Sequence, residues 1–348
     1  MKKFLTLVAA CLLTGQLIAQ SHFPYNGVRD ERPNTVLFVN ANIVVKPGQR
    51  IEKGMMLVRN GKVAEVGKTI AKPAGVQEID LQGKFIYPAF VESYGDYGIS
   101  KENRAAGNRG GGPQFTPARN GAYTANDAIK ADQQAFSRFS GDAKAAAQWR
   151  KNGFGAVVTH VQDGIARGTG ALVSTGDETD NLLLLQPKVS AHYSFSKGSS
   201  SQDYPSSLMG SIALFRQTWY DARWYQANKQ KQQLVDLTLD ALLADATLPQ
   251  VFEAQQKYDL LRIQELGKEL NMNFVVKARG DEYQYLEAVK AAQMPLLVPV
   301  NFPDAVEVED PLDARDVSLA QMLHWELAPG NLAALHKAGL RFAVTTAD

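Results

Sequence analysis

Histidine is the residue type in this sequence whose placement could most readily support acid–base chemistry or metal binding, and the chain has five. His160 directly follows the apolar sequence AVVT, which is typical of a buried strand. Active-site residues of parallel α/β proteins lie at the carboxyl ends of strands, so His160 is a candidate general base or metal ligand. A hydrogen-bonded loop histidine is the alternative interpretation. His192 is predicted to be half buried in a strand, whereas His324 and His336 are predicted to be surface or packing residues of helices.

Other signatures of catalysis or binding are weak. The sequence has no Gly-x-Ser-x-Gly elbow, so a Ser-His-Asp hydrolase triad has no support. Gly168 and Gly170, which follow Arg167, could bind an anion through backbone N–H groups, although a turn between strands is the simpler interpretation. The formal net charge is +1 and no basic stripe occurs, so a nucleic-acid partner is not predicted.

The first residues have the layout of a secretory signal. Lys2 and Lys3 precede an apolar stretch that continues, less purely, to Ala19. This stretch is too short for a stable membrane span, so residues 1–19 are predicted to be a signal peptide that is cleaved after Ala19. The protein is therefore expected to be exported, to a periplasm or out of the cell. Residues 20–34 are polar and turn-rich and are predicted to be a linker.

The single cysteine, Cys11, lies inside the predicted signal. Its surroundings, VAAC, superficially match a lipoprotein cleavage box, which would anchor the protein to a membrane by lipid. Because the apolar run continues past Cys11, an ordinary residue of the signal is the favoured interpretation. The mature chain then has no cysteine, and its stability must come from a buried core.

The rest of the chain predicts two architectures in succession. Residues 35–84 hold short β-branched and aromatic runs around a hairpin signal at Asn60-Gly61, which predicts a small antiparallel β-domain. The run Phe85–Val91 is apolar throughout, as expected for a strand that is buried on both faces. After Asp142, strands alternate with helices, which predicts a parallel sheet. The predicted helices are 142–152, 206–246, 256–270, 282–292, 319–327 and 331–337, and the predicted strands are 154–161, 250–253, 274–277, 296–300 and 340–345.

Three segments resemble the amidohydrolase superfamily. The segment Gly83–Asp96, GKFIYPAFVESYGD, is similar to the start of that family's barrel. It follows a hairpin, VRNGKV at Val58–Val63, that the family also has. The closing segment Asn331–Asp348 resembles the family's last helix and strand. The resemblance extends from Thr35 to the end of the chain and implies an imidazolonepropionase-like or hydantoinase-like exported member.

The resemblance implies an α/β fold in two parts. A small β-sandwich-like composite domain at residues 35–84 would precede a (β/α) TIM-type barrel at residues 85–348. That barrel is predicted to be incomplete at the C-terminus, because Asp348 ends its last strand and no helix follows to cover it. The implied activity is hydrolysis of carbon–nitrogen bonds other than peptide bonds, in a small-molecule amide or cyclic ureide, and the metal that the family uses is zinc.

The family's metal-binding positions carry different residues in this chain. Where the family has two histidines separated by one residue, this sequence has Tyr94 and Asp96. Glu253 and Lys277 stand near the positions of the histidines on strands five and six. The aspartate of strand eight is retained as Asp348.

These replacements imply an altered site. Zinc favours imidazole and thiolate ligands, which these positions lack. Asp96, Glu253 and Asp348 could instead form an oxygen-rich site for Mg²⁺ or Ca²⁺. Asp348 and His160 would then be the candidate catalytic residues. The alternative is that Lys277 pairs with one of the carboxylates in a structural salt bridge.

Two functional hypotheses therefore remain open. In the first, the protein is an exported amidohydrolase-like hydrolase that uses a divalent metal held by carboxylates, or that depends on a second amidohydrolase domain. In the second, it is a catalytically silent barrel that binds a ligand, or that supports a catalytic partner, a second domain or a homo-oligomer. The fold alone does not decide between them, because one fold hosts many chemistries.

Overall fold

The computed structural model describes residues 34–101 and 116–347, and the chain divides after Pro88 into two compact units. Residues 1–33, which include the predicted signal peptide and Cys11, lie outside the described residues, as does Asp348. None of the described helices is both long and apolar enough to cross a membrane.

The smaller unit is one five-stranded sheet, in which β3-β2-β1-β4 is the strand order and β5 also pairs with β1. Asn60 and Gly61 join β2 to β3 with φ angles of 52° and 71°, the left-handed values that a tight I′ turn needs, so the hairpin prediction is confirmed. β4 and β5 run parallel to β1, so the prediction of a wholly antiparallel sheet is wrong. The strands are β1 (Thr35–Lys46), β2 (Gln49–Arg59), β3 (Lys62–Gly67), β4 (Gln77–Asp80) and β5 (Phe85–Ile86).

The larger unit is a mixed α/β structure whose eight strands lie side by side in chain order. Neighbouring strands are parallel, except that β8 is antiparallel to both β7 and β9. The strands are β6 (Phe90–Gly95), β7 (Phe154–Thr159), β8 (Ala166–Ser174), β9 (Leu184–Tyr193), β10 (Gln250–Glu253), β11 (Phe274–Lys277), β12 (Leu296–Pro299) and β13 (Phe342–Thr345).

Helices separate most of these strands along the chain, as the alternation after residue 142 predicts. Asp142 caps the first of them by accepting hydrogen bonds from the backbone N–H groups of Lys144 and Ala145. The α-helices are Ala143–Lys151, Asp180–Leu183, Leu208–Gln232, Leu237–Ala244, Asp259–Leu270, Leu286–Ala292, Pro311–Asp316, Leu319–Leu327 and Asn331–Lys337. Short 3₁₀ turns occur at Ala135–Ser137, Glu282–Tyr285 and Ala328–Gly330.

Two predicted elements differ from the structure. The long helix expected over residues 206–246 is two helices, because Gln233 takes a left-handed φ of 52° and Asp236 starts a new helix as its N-cap. The apolar run expected as one buried strand divides between β5 and β6, and Phe90 and Val91 are 65% and 56% exposed.

Aromatic packing forms the centre of the larger core. Phe252 on β10 is fully buried and contacts the rings of Phe215, Phe274 and Tyr193 at centroid distances of 5.3, 5.5 and 6.0 Å. Edge-on and stacked ring pairs of this kind add to the free energy gained by burial alone. The helix Leu208–Gln232 therefore packs on the strands that carry the candidate site residues.

Glu92 links the first and last strands of the larger sheet. Its buried carboxylate accepts hydrogen bonds from the Thr345 hydroxyl at 2.5 Å and from the N–H and hydroxyl of Thr346, both at 2.8 Å. These contacts hold β6 beside β13. The described residues show no backbone ladder between these two strands, so the closed barrel remains a prediction.

Candidate functional site

Arg167 is the centre of a buried polar cluster at one edge of the larger sheet. Its side chain is only 4% exposed. The guanidinium donates to the Tyr94 hydroxyl at 2.9 Å, to Glu253 Oε2 at 2.7 Å and to the Gly164 carbonyl at 3.2 Å. Burial alone would lower the pKa of Arg167, but Tyr94 and Glu253 outweigh it and raise that pKa. The cluster therefore contains a permanent cation.

The direction of β8 explains why Arg167 reaches this edge. β8 is antiparallel to its neighbours, so its first residues lie beside the carboxyl end of β9, where Ala166 pairs with Tyr193. Gly168 continues the strand with a φ of 78°, and a Cβ there would overlap the Gln133 carbonyl. Gly168 and Gly170 pair with β9 inside the ladder, so the predictions of a turn and of an anion-binding loop at these residues are wrong.

His160 and His192 form a stacked pair next to Tyr94. Their rings are 3.7 Å apart and nearly parallel, and the Tyr94 ring meets His160 edge-on at 4.4 Å. Both histidines are buried, although His192 was predicted to be half buried. Gly170 makes room for the pair, since a Cβ there would lie 2.7 Å from His192 Nε2.

The histidine pair is neutral near physiological pH. Burial lowers the pKa of His160 well below its ordinary value, and the nearby His192 and Arg167 add to the effect. Burial, with a contribution from Arg167, lowers the pKa of His192 to about 3. His192 Nε2 lies 2.8 Å from the Ser190 hydroxyl, whereas the other three ring nitrogens have no hydrogen-bond partner among the described residues.

Tyr94 and Lys277 are two further buried members of the cluster. Burial raises the pKa of Tyr94 far above its ordinary value, so its hydroxyl stays a neutral phenol. Lys277 is 3% exposed at the end of β11, and its ammonium lies 5.8 Å from the centroid of the Tyr94 ring. This is a cation–π distance. Tyr94 therefore contacts Arg167 through its hydroxyl and Lys277 through its ring.

A cleft of about 350 Å³ opens above Arg167. Asp163 lies on its wall and forms a salt bridge with Lys130. The Asp163 carboxylate also accepts hydrogen bonds from the backbone N–H and the hydroxyl of Ser199, each at 2.6 Å. Asp96 lies 3.9 Å from Lys101, and their side chains are 45% and 89% exposed. The charged residues that line the cleft are Asp96, Lys101, Asp163, Arg167 and Glu253.

The residues present do not fit a metal centre of the family's type. Glu253 forms a salt bridge with Arg167, and Tyr94 is a neutral phenol that accepts a hydrogen bond from the same guanidinium. Across residues 34–101 and 116–347, no three His, Cys, Asp or Glu side chains are grouped closely enough to hold a metal ion. The predicted set of Asp96, Glu253 and Asp348 includes a residue outside the described part of the chain, so it stays a prediction.

Sequence reasoning placed some residues of this cluster correctly and missed others. His160 follows β7 as predicted, and Tyr94 and Glu253 lie on strands within one site. Arg167 and His192 were missed as partners of these residues. An arginine inside a strand of small and apolar residues (ARGTGALVS) was the available signal, because a charge in such a strand needs a partner.

Comparison with known proteins supports the fold. No family model matches the chain. A dihydroorotase from Trichlorobacter lovleyi is 34% identical over 59 residues, which are 17% of this chain and 14% of that protein. The solved structure of an amidohydrolase from Thermotoga maritima MSB8 aligns with a TM-score of 0.65 and 18% identity, over 89% of this chain and 78% of that one. An N-acetyl-D-glucosamine-6-phosphate deacetylase from Mycobacterium smegmatis aligns with a TM-score of only 0.33 and 14% identity, over 91% of this chain and 71% of its own.

The chain shares the fold of the solved Thermotoga amidohydrolase. The resemblance that its opening and closing segments predict is thereby confirmed at the level of the fold. The dihydroorotase match spans about one seventh of that protein's length, so it carries no activity over to this chain.

Proposed function

We propose that this chain is an amidohydrolase-fold unit that binds a small polar ligand in the Arg167 cleft and does not use the family's metal chemistry. The observation that carries the proposal is the position of the buried Arg167 guanidinium, which donates a hydrogen bond to Tyr94 and forms a salt bridge with Glu253. These are two of the positions at which the resemblance implies metal ligands. A fixed cation thus occupies the place where the family would hold a metal.

Electrostatics and geometry both support this proposal. Arg167 stays protonated, so it would repel a divalent ion placed beside it. The site is buried, so water screens this repulsion poorly. The His160 and His192 lone pairs lie in the planes of two parallel rings 3.7 Å apart, so they cannot converge on one ion. Tyr94 supplies a neutral oxygen, which is a weak ligand at neutral pH.

A second candidate is an exported hydrolase that acts on carbon–nitrogen bonds in small amides or cyclic ureides. The likeness to the solved Thermotoga amidohydrolase favours it. Its metal would come from Asp96, Glu253 and Asp348, or its chemistry from a second amidohydrolase domain. This candidate requires Glu253 to leave Arg167 when a metal binds.

Metal content separates the two candidates. We expect the purified chain, after mild dialysis, to carry far less than one zinc, magnesium, calcium or manganese ion per molecule by elemental mass spectrometry, because Arg167 holds Glu253. We also expect no hydrolysis of dihydroorotate or hydantoin above background. The comparison protein is the double variant Asp96→Asn/Glu253→Gln, with Asp221→Asn/Glu265→Gln on the outer helices as matched control.

A near-stoichiometric metal in the wild-type chain would contradict the proposal if the Asp96→Asn/Glu253→Gln variant loses it and the control keeps it. That result would establish a carboxylate metal site and favour the hydrolase. Equal, negligible metal in all three proteins would support the proposal.

Export belongs to both candidates. It rests on the charged and apolar pattern of residues 1–19. We expect the chain expressed with its own N-terminus in a bacterial host to be recovered outside the cytoplasm with Gln20 as its first residue, by N-terminal sequencing. An intact Met1 on protein that stays in the cytoplasm would refute the signal.

A further inference from the structure

We propose that the ligand of the Arg167 cleft is a small zwitterion, a molecule with one carboxylate and one protonated amine, such as a free amino acid. The inference rests on the proposed function, because it assigns a ligand class to the same cleft. It follows from the arrangement of opposite charges around a small polar cavity.

Arg167 offers the anion-binding half of the site. A guanidinium has five N–H donors in a rigid plane. The described residues use one each for Gly164, Tyr94 and Glu253. The remaining donors belong to a side chain that lines the cleft and is 96% buried, where a charge-assisted hydrogen bond to a carboxylate is stronger than in water.

Glu253 and Asp96 offer the cation-binding half. Glu253 Oε2 accepts from Arg167 and, at 3.3 Å, from Gln255, and the carboxylate also shares a hydrogen bond with the Tyr94 hydroxyl. The contact of Asp96 with Lys101 is long and well exposed, so it stabilises little. A ligand ammonium can therefore replace Lys101 beside Asp96, in the cleft that Glu253 also lines.

The charge balance of the cleft favours a zwitterion over a simple ion. The Asp163 carboxylate is already neutralised by Lys130, which leaves two carboxylates and two cations among those lining residues that the structure describes. A simple anion would meet Asp96 and Glu253, and a simple cation would meet Arg167. A neutral amide would gain a charge-matched contact from neither sign. A zwitterion pairs with both signs, which is how interfaces gain specificity.

The size of the cleft sets the size of the ligand. Cavities that bind small molecules range over about 300–1,000 Å³, and this cleft, at about 350 Å³, lies at the lower end. Gln162, Ser196 and Gln255 also line it, so a polar side chain on the ligand would find hydrogen-bond partners. L-Glutamine is therefore a suitable probe.

Calorimetric titration of the full chain, freed of metal with a chelator, tests the inference. The probes are L-glutamine, N-acetyl-L-glutamine, which lacks the ammonium, and L-glutamine amide, which lacks the carboxylate. We expect L-glutamine to bind and each analogue to bind at least about tenfold more weakly, since each loses one charged contact.

A variant identifies the cation-binding half. Asp96→Asn should weaken L-glutamine binding about tenfold and leave the weak binding of N-acetyl-L-glutamine unchanged, because only the first ligand carries an ammonium. Asp177→Asn, an exposed and ion-paired aspartate outside the cleft, is the matched control and should change neither. Tryptophan fluorescence shows that each variant is folded.

Each other outcome has a definite meaning. Equal affinity for the three probes, or no binding to a folded and metal-free chain, would contradict the proposal of a zwitterionic ligand. It would leave intact the proposal that the unit does not use the family's metal chemistry. Binding of L-glutamine that appears only after zinc is added, with stoichiometric zinc uptake, would overturn both the zwitterion site and the proposed function.

Discussion

Replacing Arg167 with alanine is expected to lower the free energy of unfolding of the larger unit by about 3–5 kcal/mol. The substitution leaves the Glu253 carboxylate, whose side chain is 16% exposed, and the Tyr94 hydroxyl without their shared donor. A buried charge without a partner keeps its desolvation cost and loses the attraction that offset it. The effect would make Arg167 one of the most costly single side chains to remove.

Urea unfolding followed by tryptophan fluorescence measures this loss. All four tryptophans, Trp149, Trp219, Trp224 and Trp325, lie in the larger unit, so the signal reports that unit alone. Arg216→Ala, which breaks an exposed pair with Glu269, is the matched control and should leave the unfolding midpoint nearly unchanged.

A second variant distinguishes an unpaired charge from a lost contact. Arg167→Met/Glu253→Leu removes both members of the pair, so it should recover much of the stability that Arg167→Ala loses. If Arg167→Ala costs less than about 1 kcal/mol, then water or a bound ion compensates Glu253, and the buried cluster is less isolated than its contacts indicate.

Acidification is expected to destabilise the larger unit through His160 and His192. In the unfolded chain both residues titrate near 6.5, whereas in the folded chain burial lowers both pKa values, that of His192 to about 3. Below about pH 6.5 the unfolded state therefore binds more protons than the folded state, and the free energy of unfolding falls as the pH falls. Between about pH 8 and about pH 5 the loss is about 2 kcal/mol for each histidine.

The surroundings of the histidine pair disfavour its protonation in the folded protein. Arg167, which donates to Tyr94, disfavours a further positive charge on either histidine, while the Tyr94 hydroxyl stays neutral. Among the described residues, the two rings have one hydrogen-bond partner, the Ser190 hydroxyl, and a hydroxyl does not offset a buried imidazolium. Both rings therefore favour the neutral form in the folded protein.

Urea unfolding at about pH 8 and about pH 5 checks the expectation. His160→Leu fills similar volume without a titrating group and should reduce the pH-dependent loss by about 2 kcal/mol. His336→Gln changes an exposed histidine and should not alter the loss. The same pH dependence in the wild type and in His160→Leu would mean that His160 is already protonated or solvated in the folded state.

Predictions from the local sequence were correct where a short segment determines its own conformation. Asn60-Gly61 makes the predicted turn because two consecutive left-handed residues favour a two-residue hairpin turn over an extended chain. Asp142 begins the predicted helix, and Gly153 follows its end with a φ of 86°. The prediction was wrong at Phe85–Val91, because an apolar run does not show that its residues divide between strands of two different sheets.

The sequence by itself determined that the chain is an α/β protein with the opening and closing segments of an amidohydrolase fold, and that the family's paired histidines are replaced by Tyr94 and Asp96. Only the tertiary structure decided what stands in their place. A parallel sheet would put functional residues at strand ends, but the reversed direction of β8 brings its first residues, with Arg167, to that same edge. Strand direction depends on pairing between distant segments, which no local pattern records. For that reason the guanidinium that binds Tyr94 and Glu253 could be found only in the folded chain.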